Sequence, residues 1–183
     1  MEEGLNKLKF NDNINFELNL AKSQYSNDGN LEKETLLADT GYGQGQILVN
    51  PIHMASIYSA FYNQGNMIQP YLEFKENTEP TILVKNAFTS ESAEEIKNDL
   101  IQVVENPEGT AKDMKINGIT IAGKTGTAEL KSSKDEKADT IGWFDCFTVN
   151  TTNPYLFVGM VEKANNNGGS HYLIPMIKNA ISK

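Results

Sequence analysis

The sequence predicts an α+β fold, in which helices pack on an antiparallel sheet. Three observations lead to this class. The middle of the chain holds two helical patterns, the mostly apolar IHMASIYSAFYNQG and the amphipathic SESAEEIKNDLIQVVEN. The last third holds three runs rich in β-branched and aromatic residues, INGITIAGKTGTAEL, TIGWFDCFTVN and PYLFVGMVEK. The closing segment, HYLIPMIKNAIS, is again helical in character.

Capping and turn residues predict where these elements begin and end. Asn50-Pro51 predicts the start of the first helix, because asparagine caps a helix and proline fits its first turn. Gly65 predicts its end. The charged segment KSSKDEKAD connects the first two strands, and NTTNP connects the next two. Residues 1–35 are polar and rich in turn formers, so an irregular lead-in is expected there.

The composition narrows the classes of function. The chain has 183 residues, 39% hydrophobic and 22% charged, which suits one domain with a hydrophobic core. Its net charge is -8 and all 16 basic residues are lysines, which argues against a nucleic-acid partner. Cys146 is the only cysteine, so an intrachain disulfide is excluded. His53 and His171 have no ligands at metal spacing around them, so no metal site is predicted.

The sequence as written predicts neither export nor membrane anchoring. Glu2 and Glu3 follow Met1, where a signal peptide would have basic and then apolar residues. No apolar stretch approaches the length of a membrane span.

The string GITIAGKT at 118–125 fits the nucleotide-binding pattern G-x-x-x-x-G-K-[ST]. A phosphate-binding loop needs a buried strand before it and a helix after it. Here the upstream AKDMKIN is not strand-like, and the downstream GTAELKSSKDEK lacks an apolar helical face. Three of the four variable positions are β-branched and favour an extended chain. A strand is therefore predicted, and a nucleotide binder is kept only as an alternative.

As a strand, the segment presents Lys124, Thr125, Gly126 and Thr127 in alternating directions. If it is the edge of the sheet, its free N–H and C=O groups can pair with an extended peptide. Gly126 would leave room for a ligand against the backbone, and Lys124 would supply positive charge. Threonine hydroxyls can bind a carboxylate, and an edge N–H can serve as an oxyanion-hole donor.

Lys124-Thr125-Gly126, followed by Thr127-Ala128, resembles the K-T-G element of penicillin-binding proteins and serine β-lactamases. The longer string AGKTGTAEL is most similar to the transpeptidase domains of class B penicillin-binding proteins, in particular those of the low-affinity, methicillin-resistance type. Three further segments resemble the same family in order and spacing: LLADTGYGQGQILVNPIHMASIYSAFYNQGN, IGWFDCF and GGSHYLIPMIKNAI.

The resemblance implies a peptidoglycan D,D-transpeptidase, which cross-links stem peptides through an acyl-enzyme, binds β-lactams and needs no cofactor. It implies that Lys124 is catalytic, because this lysine would organise the proton network of the serine. It also implies that the backbone N–H of Thr127 belongs to the oxyanion hole. The substrate-binding residues that it implies are Thr125, Gly126, Thr127, Gln44 and Tyr42.

Two motifs of that family are absent from the sequence. No serine is followed by lysine three residues later or by asparagine two residues later, so S-x-x-K, which holds the nucleophile, and S-x-N are missing. Tyr25-Ser26-Asn27 imitates the Y-x-N variant, but its position suits a loop beyond the second motif. Residues 1–183 are therefore expected to be the C-terminal portion of a single transpeptidase domain, with three of the five family strands, and to be inactive alone.

The expected partners and location follow from the same resemblance. The third strand, around Tyr155 to Glu162, would lack a neighbour, so the missing N-terminal half of the domain or a second copy is expected at this edge. The parent protein would act at the extracytoplasmic face of the bacterial plasma membrane. A non-catalytic binding or sensing module that keeps the wall of the cleft is the alternative from another class.

Overall fold

The structure is a computed structural model that describes residues 1–73, 76, 79–130, 139–152, 154–166 and 168–182. It divides into two compact units, Met1–Ala93 and Glu94–Lys183. The predicted connector KSSKDEKAD lies outside the described residues except for its last residue. In the described part of the chain, no helix has both the length and the apolar character that a membrane span requires.

The first unit contains three helices and a short antiparallel hairpin. These are α1 (Glu2–Lys7), α2 (Glu34–Gly41), α3 (Pro51–Tyr62), β1 (Met67–Ile68) and β2 (Ile82–Val84). Helix α1 lies inside the 1–35 segment, for which an irregular course was predicted. Its two glutamates in the first turn interact favourably with the helix dipole. Phe10, Tyr25 and Leu31 are buried and anchor the rest of this segment in the core of the unit.

Helix α3 begins where the sequence predicts it. The Asn50 side chain accepts a hydrogen bond from the Ile52 N–H at 2.9 Å, and Pro51 occupies the first turn. Beyond the other end, Gly65 has a φ of 86°, and a Cβ there would lie 2.2 Å from the Phe88 carbonyl oxygen. Only glycine fits this position, which confirms Gly65 as the residue that stops the helix.

The second unit is built on a three-stranded sheet. Its elements are most of α4 (Ser90–Glu105), then β3 (Ile121–Leu130), β4 (Asp139–Thr148), β5 (Leu156–Val161) and α5 (Ile174–Ile181). The strands are antiparallel in the order β3-β4-β5. The predicted α+β class, with a meander followed by a closing helix, is confirmed.

Strand β3 begins later than the run INGITIAGKTGTAEL predicts. The chain turns at Gly118, which has a φ of 82°, and the Ile119 N–H donates to the Ile116 carbonyl at 3.2 Å. Because a left-handed glycine interrupts the extended chain, the regular strand starts only at Ile121.

One face of the sheet carries the core of the second unit. Its buried members are Val104, Ala111, Met114, Ile121, Phe144, Cys146, Leu173, Ile174 and Ile177. Directly opposed residues in antiparallel strands share a face. Lys124 is opposite Asp145, and Gly126 is opposite Trp143, so these four residues belong to the other face. Cys146 is fully buried and is a thiol of this core.

Candidate active site

Strand β3 presents the K-T-G residues at one edge of the sheet. The Val149 N–H donates to the Thr120 carbonyl at 2.9 Å, so these opposed residues form a hydrogen-bonded pair. Hydrogen-bonded and non-bonded pairs alternate along an antiparallel ladder. The main-chain N–H and C=O groups of Thr125 and Thr127 therefore point away from β4. In the described residues β3 has no strand neighbour on that side, so these groups lie along a free edge.

Lys124 is exposed, and its amine is held against the same edge. Its Nζ donates a hydrogen bond to the Thr125 carbonyl oxygen at 2.8 Å. This contact is possible because the Thr125 carbonyl points out of the sheet. The ammonium therefore lies beside the main-chain groups that an extended ligand would approach.

The Thr125 side chain is linked to a loop that the sequence analysis did not single out. Its Oγ1 lies 2.9 Å from Oγ1 of Thr110. Thr110 belongs to the segment NPEGTAKD between α4 and β3. The two residues are 15 positions apart, and no motif in the sequence links them, so only the folded chain reveals the contact.

Gly126 has open space on its side of the sheet. A Cβ at this position would meet only the Cβ of Trp143, at 3.4 Å, which is an ordinary contact distance. Packing within the second unit therefore does not require glycine here. Thr127, the next residue, is exposed.

Asp145 is a buried carboxylic acid directly across the ladder from Lys124. Its side chain is 5% exposed, and its Oδ1 has no hydrogen-bond partner. Burial raises the pKa of Asp145 from 3.8 to about 7, although the backbone of Gly159 opposes the shift. Burial, together with the charge of Asp145, raises the pKa of the Cys146 thiol to about 12. An aspartate inside the apolar string WFDCF was the sequence signal for this site.

Tyr42 and Gln44 lie in the first unit, whereas the four K-T-G-strand residues lie in the second. They belong to a turn after α2 in which Gly43 and Gly45 have φ values of 81° and 74°. The Gln44 N–H donates to the Asp39 carbonyl at 2.9 Å, and the Tyr42 hydroxyl donates to the Asp39 carboxylate at 2.7 Å. Asp39 thus stabilises the turn from both its backbone and its side chain.

The Y-x-N look-alike is folded into the first unit. Tyr25 is 1% exposed, and its hydroxyl donates to the Gly29 carbonyl at 2.8 Å. Ser26 is also buried, and the Asn27 N–H donates to the Gln46 side chain at 2.9 Å. These contacts are structural, and none presents the Ser26 hydroxyl at the surface.

The nucleotide-binding pattern does not form a phosphate-binding loop. Lys124 and Thr125 lie inside β3, which continues as a strand to Leu130, instead of opening a helix. In the part of the chain that the structure describes, no cluster of three or more His, Cys, Asp or Glu side chains could hold a metal ion.

A family model described as the penicillin binding protein transpeptidase domain matches residues 1–182. The chain belongs to this family. The assignment confirms the resemblance that the K-T-G element and its neighbouring segments suggested. Among its relatives, penicillin-binding protein 3 of Bacillus subtilis (strain 168) is 39% identical over 177 residues. The peptidoglycan D,D-transpeptidase FtsI homolog of Mesostigma viride is 30% identical over 149 residues, which cover 68% of this chain.

Two solved structures share the fold. The apo structure of the TP domain from Burkholderia pseudomallei penicillin-binding protein 3 aligns with 98% of this chain at a TM-score of 0.77 and 18% identity. A putative peptidoglycan glycosyltransferase from Atopobium parvulum aligns with 99% of it, also at 0.77, with 21% identity.

The chain is shorter than these penicillin-binding relatives. It matches 26% of the length of the Bacillus subtilis protein and 24% of the Mesostigma viride protein. It covers 56% of the Burkholderia pseudomallei chain and 44% of the Atopobium parvulum chain.

Proposed function

We propose that this chain is the K-T-G-bearing, C-terminal portion of a peptidoglycan D,D-transpeptidase domain. The observation that carries the proposal is the free edge of β3, where Thr125 and Thr127 direct their main-chain groups away from the sheet. An extended stem peptide can add to such an edge as a further strand. Membership of the penicillin-binding family supports a ligand from peptidoglycan or of the β-lactam class, and we take it to be the D-Ala-D-Ala end of a stem peptide or a β-lactam.

In the proposed reaction, a serine upstream of this chain attacks the carbonyl carbon of the penultimate D-alanine. The terminal D-alanine leaves with a proton on its amine, and the stem peptide stays on the serine as an ester. An amine of a neighbouring stem peptide then attacks the ester, which forms the cross-link and returns the proton to the serine. A β-lactam would acylate the same serine.

The K-T-G residues have separate roles in this proposal. Lys124 would organise the proton network of the serine, and its positive charge would attract the anionic end of the ligand. The Thr127 N–H would stabilise the oxyanion of the tetrahedral intermediate, a contribution that amounts to roughly 3 to 4 kcal/mol per donor in well-studied enzymes. Thr125 would donate its hydroxyl proton to the terminal carboxylate, and Gly126 would let the ligand lie against the strand.

In the same proposal, the parent protein would work at the extracytoplasmic face of the plasma membrane. The parent protein would be a transpeptidase of the low-affinity, methicillin-resistance type. The chain contains no S-x-x-K motif, so the nucleophile must come from a segment outside it. The same absence favours a second candidate, a module that binds D-Ala-D-Ala or β-lactams without being acylated.

Amide chemical shifts of the chain test the ligand class directly. Titration with N-acetyl-D-alanyl-D-alanine should shift the amides of Thr125, Gly126 and Thr127, and the L,L dipeptide should shift them much less. Equal shifts for the two dipeptides, or none, would contradict the proposal. A saturable response to magnesium-ATP at residues 118–125 that Lys124→Ala abolishes would instead favour the nucleotide binder.

A further inference from the structure

A pair of hydroxyl groups connects the K-T-G strand to the loop that follows α4. Oγ1 of Thr110 and Oγ1 of Thr125 are 2.9 Å apart, and either atom can be the donor. Both residues belong to the second unit, Glu94–Lys183. In the proposed function, Thr125 binds the carboxylate of the ligand. The hydrogen bond between Thr110 and Thr125 therefore affects how that carboxylate is bound.

The loop that carries Thr110 is held firmly on both sides of this residue. The Ala111 N–H donates to the Val103 carbonyl at 3.0 Å, and this bond caps the end of α4. A Cβ on Gly109 would lie 2.3 Å from the same carbonyl oxygen, so only glycine allows this close approach. Ala111 and Met114 are fully buried in the core. The backbone of Thr110 is therefore fixed relative to the sheet.

The side chain of Thr110 is nevertheless exposed. The Thr110 side chain is therefore not part of the hydrophobic core. Its hydroxyl forms a hydrogen bond with the Thr125 hydroxyl. A residue that is held rigidly while its hydroxyl reaches a ligand-binding side chain is suited to orient that side chain.

The chemistry of a carboxylate fixes the direction of the hydrogen bond in the ligand complex. A hydroxyl has one proton to donate, whereas an ionised carboxylate can only accept. If Thr125 donated to Thr110, it would turn only lone pairs towards the carboxylate. Thr110 must therefore donate to Thr125, which leaves the Thr125 proton for the ligand. Hydrogen bonds that follow one another in this way, from Thr110 to Thr125 to the carboxylate, strengthen each other.

The chain offers few other donors for this task. It contains no arginine, the side chain that binds carboxylates through two parallel hydrogen bonds. The Lys124 amine donates one of its three hydrogen bonds to the Thr125 carbonyl, which leaves two donors for other groups. The direction in which the Thr125 hydroxyl points therefore matters more here than in a site with an arginine.

We propose that Thr110 is a positioning residue, which donates its hydroxyl proton to Thr125 and thereby directs the Thr125 proton at the terminal carboxylate of the ligand. The inference rests on the proposed function, because it assumes that a carboxylate binds at Thr125. It gives the loop after α4 a role in ligand recognition. That loop lies outside the K-T-G motif.

Two variants separate the hydroxyl from the shape of the side chain. Thr110→Val keeps the branched shape and removes the hydroxyl, and Thr110→Ser keeps the hydroxyl as the matched control. Because Thr110 is exposed, both should unfold at the same denaturant concentration as the unchanged chain. The first readout needs no ligand: three-bond couplings to the Thr125 methyl carbon should report one χ1 rotamer in the unchanged chain and in Thr110→Ser, and averaging in Thr110→Val.

The second readout is affinity for N-acetyl-D-alanyl-D-alanine, followed by amide shifts. Thr110→Val should weaken binding about five- to tenfold, the loss expected for one hydrogen bond between neutral groups, and Thr110→Ser should stay within about twofold. Unchanged affinity in Thr110→Val, with the dipeptide still bound by the unchanged chain, would overturn the positioning role alone. Failure of the unchanged chain to bind the dipeptide would overturn the proposed function, and the positioning role with it.

Discussion

Gly126 occupies the position where a ligand and a side chain would compete for the same space. Its only near neighbour is the Cβ of Trp143, at 3.4 Å from an ideal Cβ. We predict that Gly126→Ala folds with a free energy of unfolding within about 1 kcal/mol of the unchanged chain, because the methyl group meets no obstacle and alanine restricts the unfolded chain. The same methyl group should abolish dipeptide binding, since it stands between the strand and the ligand.

Gly123 is the matched control on the same strand. A Cβ there would lie 3.1 Å from the Cβ of Cys146 and 3.2 Å from the Asp145 carbonyl oxygen, inside the core. Gly123→Ala should therefore lower the denaturation midpoint, in contrast to Gly126→Ala. A Gly126→Ala chain that binds the dipeptide normally would refute the idea that a ligand lies along β3.

Asp145 makes stability depend on pH in a direction opposite to that of most carboxylates. Its pKa is raised by burial from 3.8 to about 7 in the folded chain, so the folded state holds a proton that the unfolded state has lost. The stabilisation is complete below pH 3.8 and disappears as the pH rises through about 7. Since one pKa unit corresponds to about 1.4 kcal/mol, the whole change amounts to about 4 kcal/mol.

Asp145→Asn tests this contribution, because an amide resembles the protonated acid and never ionises. We predict that the variant is more stable than the unchanged chain at pH 8, by up to about 4 kcal/mol, and equally stable near pH 4. Denaturant unfolding followed by the fluorescence of Trp143, the only tryptophan, measures the difference. Asp139→Asn, at the exposed start of β4, controls for the loss of one charge. A difference that does not vary with pH would contradict the raised pKa of the buried carboxylate.

Among the described residues, strand β5 has an unpaired edge and exposed apolar side chains, which are unfavourable in a chain that remains on its own. It pairs with β4 on one side, and the described residues supply no strand on the other. Tyr155, just before the strand, is 57% exposed, and Met160 within it is 42% exposed. An apolar, unpaired strand edge favours association with another chain. We propose that an upstream part of a transpeptidase domain, or a second copy of this chain, covers this edge.

Met160→Lys should suppress self-association, because a lysine on an edge strand opposes pairing with another strand. Sedimentation of the unchanged chain should show a monomer–dimer equilibrium that shifts with concentration, whereas the variant should remain monomeric. Met176→Lys makes the same change on helix α5, at a residue that is 52% exposed and belongs to no strand, and should associate normally. A chain that stays monomeric at all concentrations without substitution would show that β5 does not mediate association.

The elements were predictable from the sequence where local signals decide them. The cap and proline at Asn50-Pro51 fixed the start of α3, and the β-branched runs fixed the meander. Helix α1 was missed, because residues 2–7 contain no apolar stripe and the helix depends on the surrounding unit. The Thr110–Thr125 contact was not predictable, since it arises only when the loop and the strand are brought together. Asp145 had a sequence signal, as an acid inside the apolar string WFDCF, but its burial follows only from the folded sheet.

Lysine as the sole basic residue type is a feature of the whole molecule. The net charge is -8, and an anionic ligand at the K-T-G edge would meet a lysine, threonine hydroxyls and main-chain N–H groups. The K-T-G edge offers all three kinds of donor within four residues. The sequence contains no S-x-x-K motif, and the proposed function therefore assigns the nucleophile to an upstream segment.

The most direct test of a cleft shared between this chain and an upstream segment is its intact mass after exposure to a penicillin. The measurement is made on the chain alone and after mixing with the upstream part of the same transpeptidase domain. We predict no adduct on the chain alone, and one penicilloyl adduct on the upstream part once the two are mixed. A stoichiometric adduct on this chain alone would contradict the proposal, because it would place the nucleophile among residues 1–183.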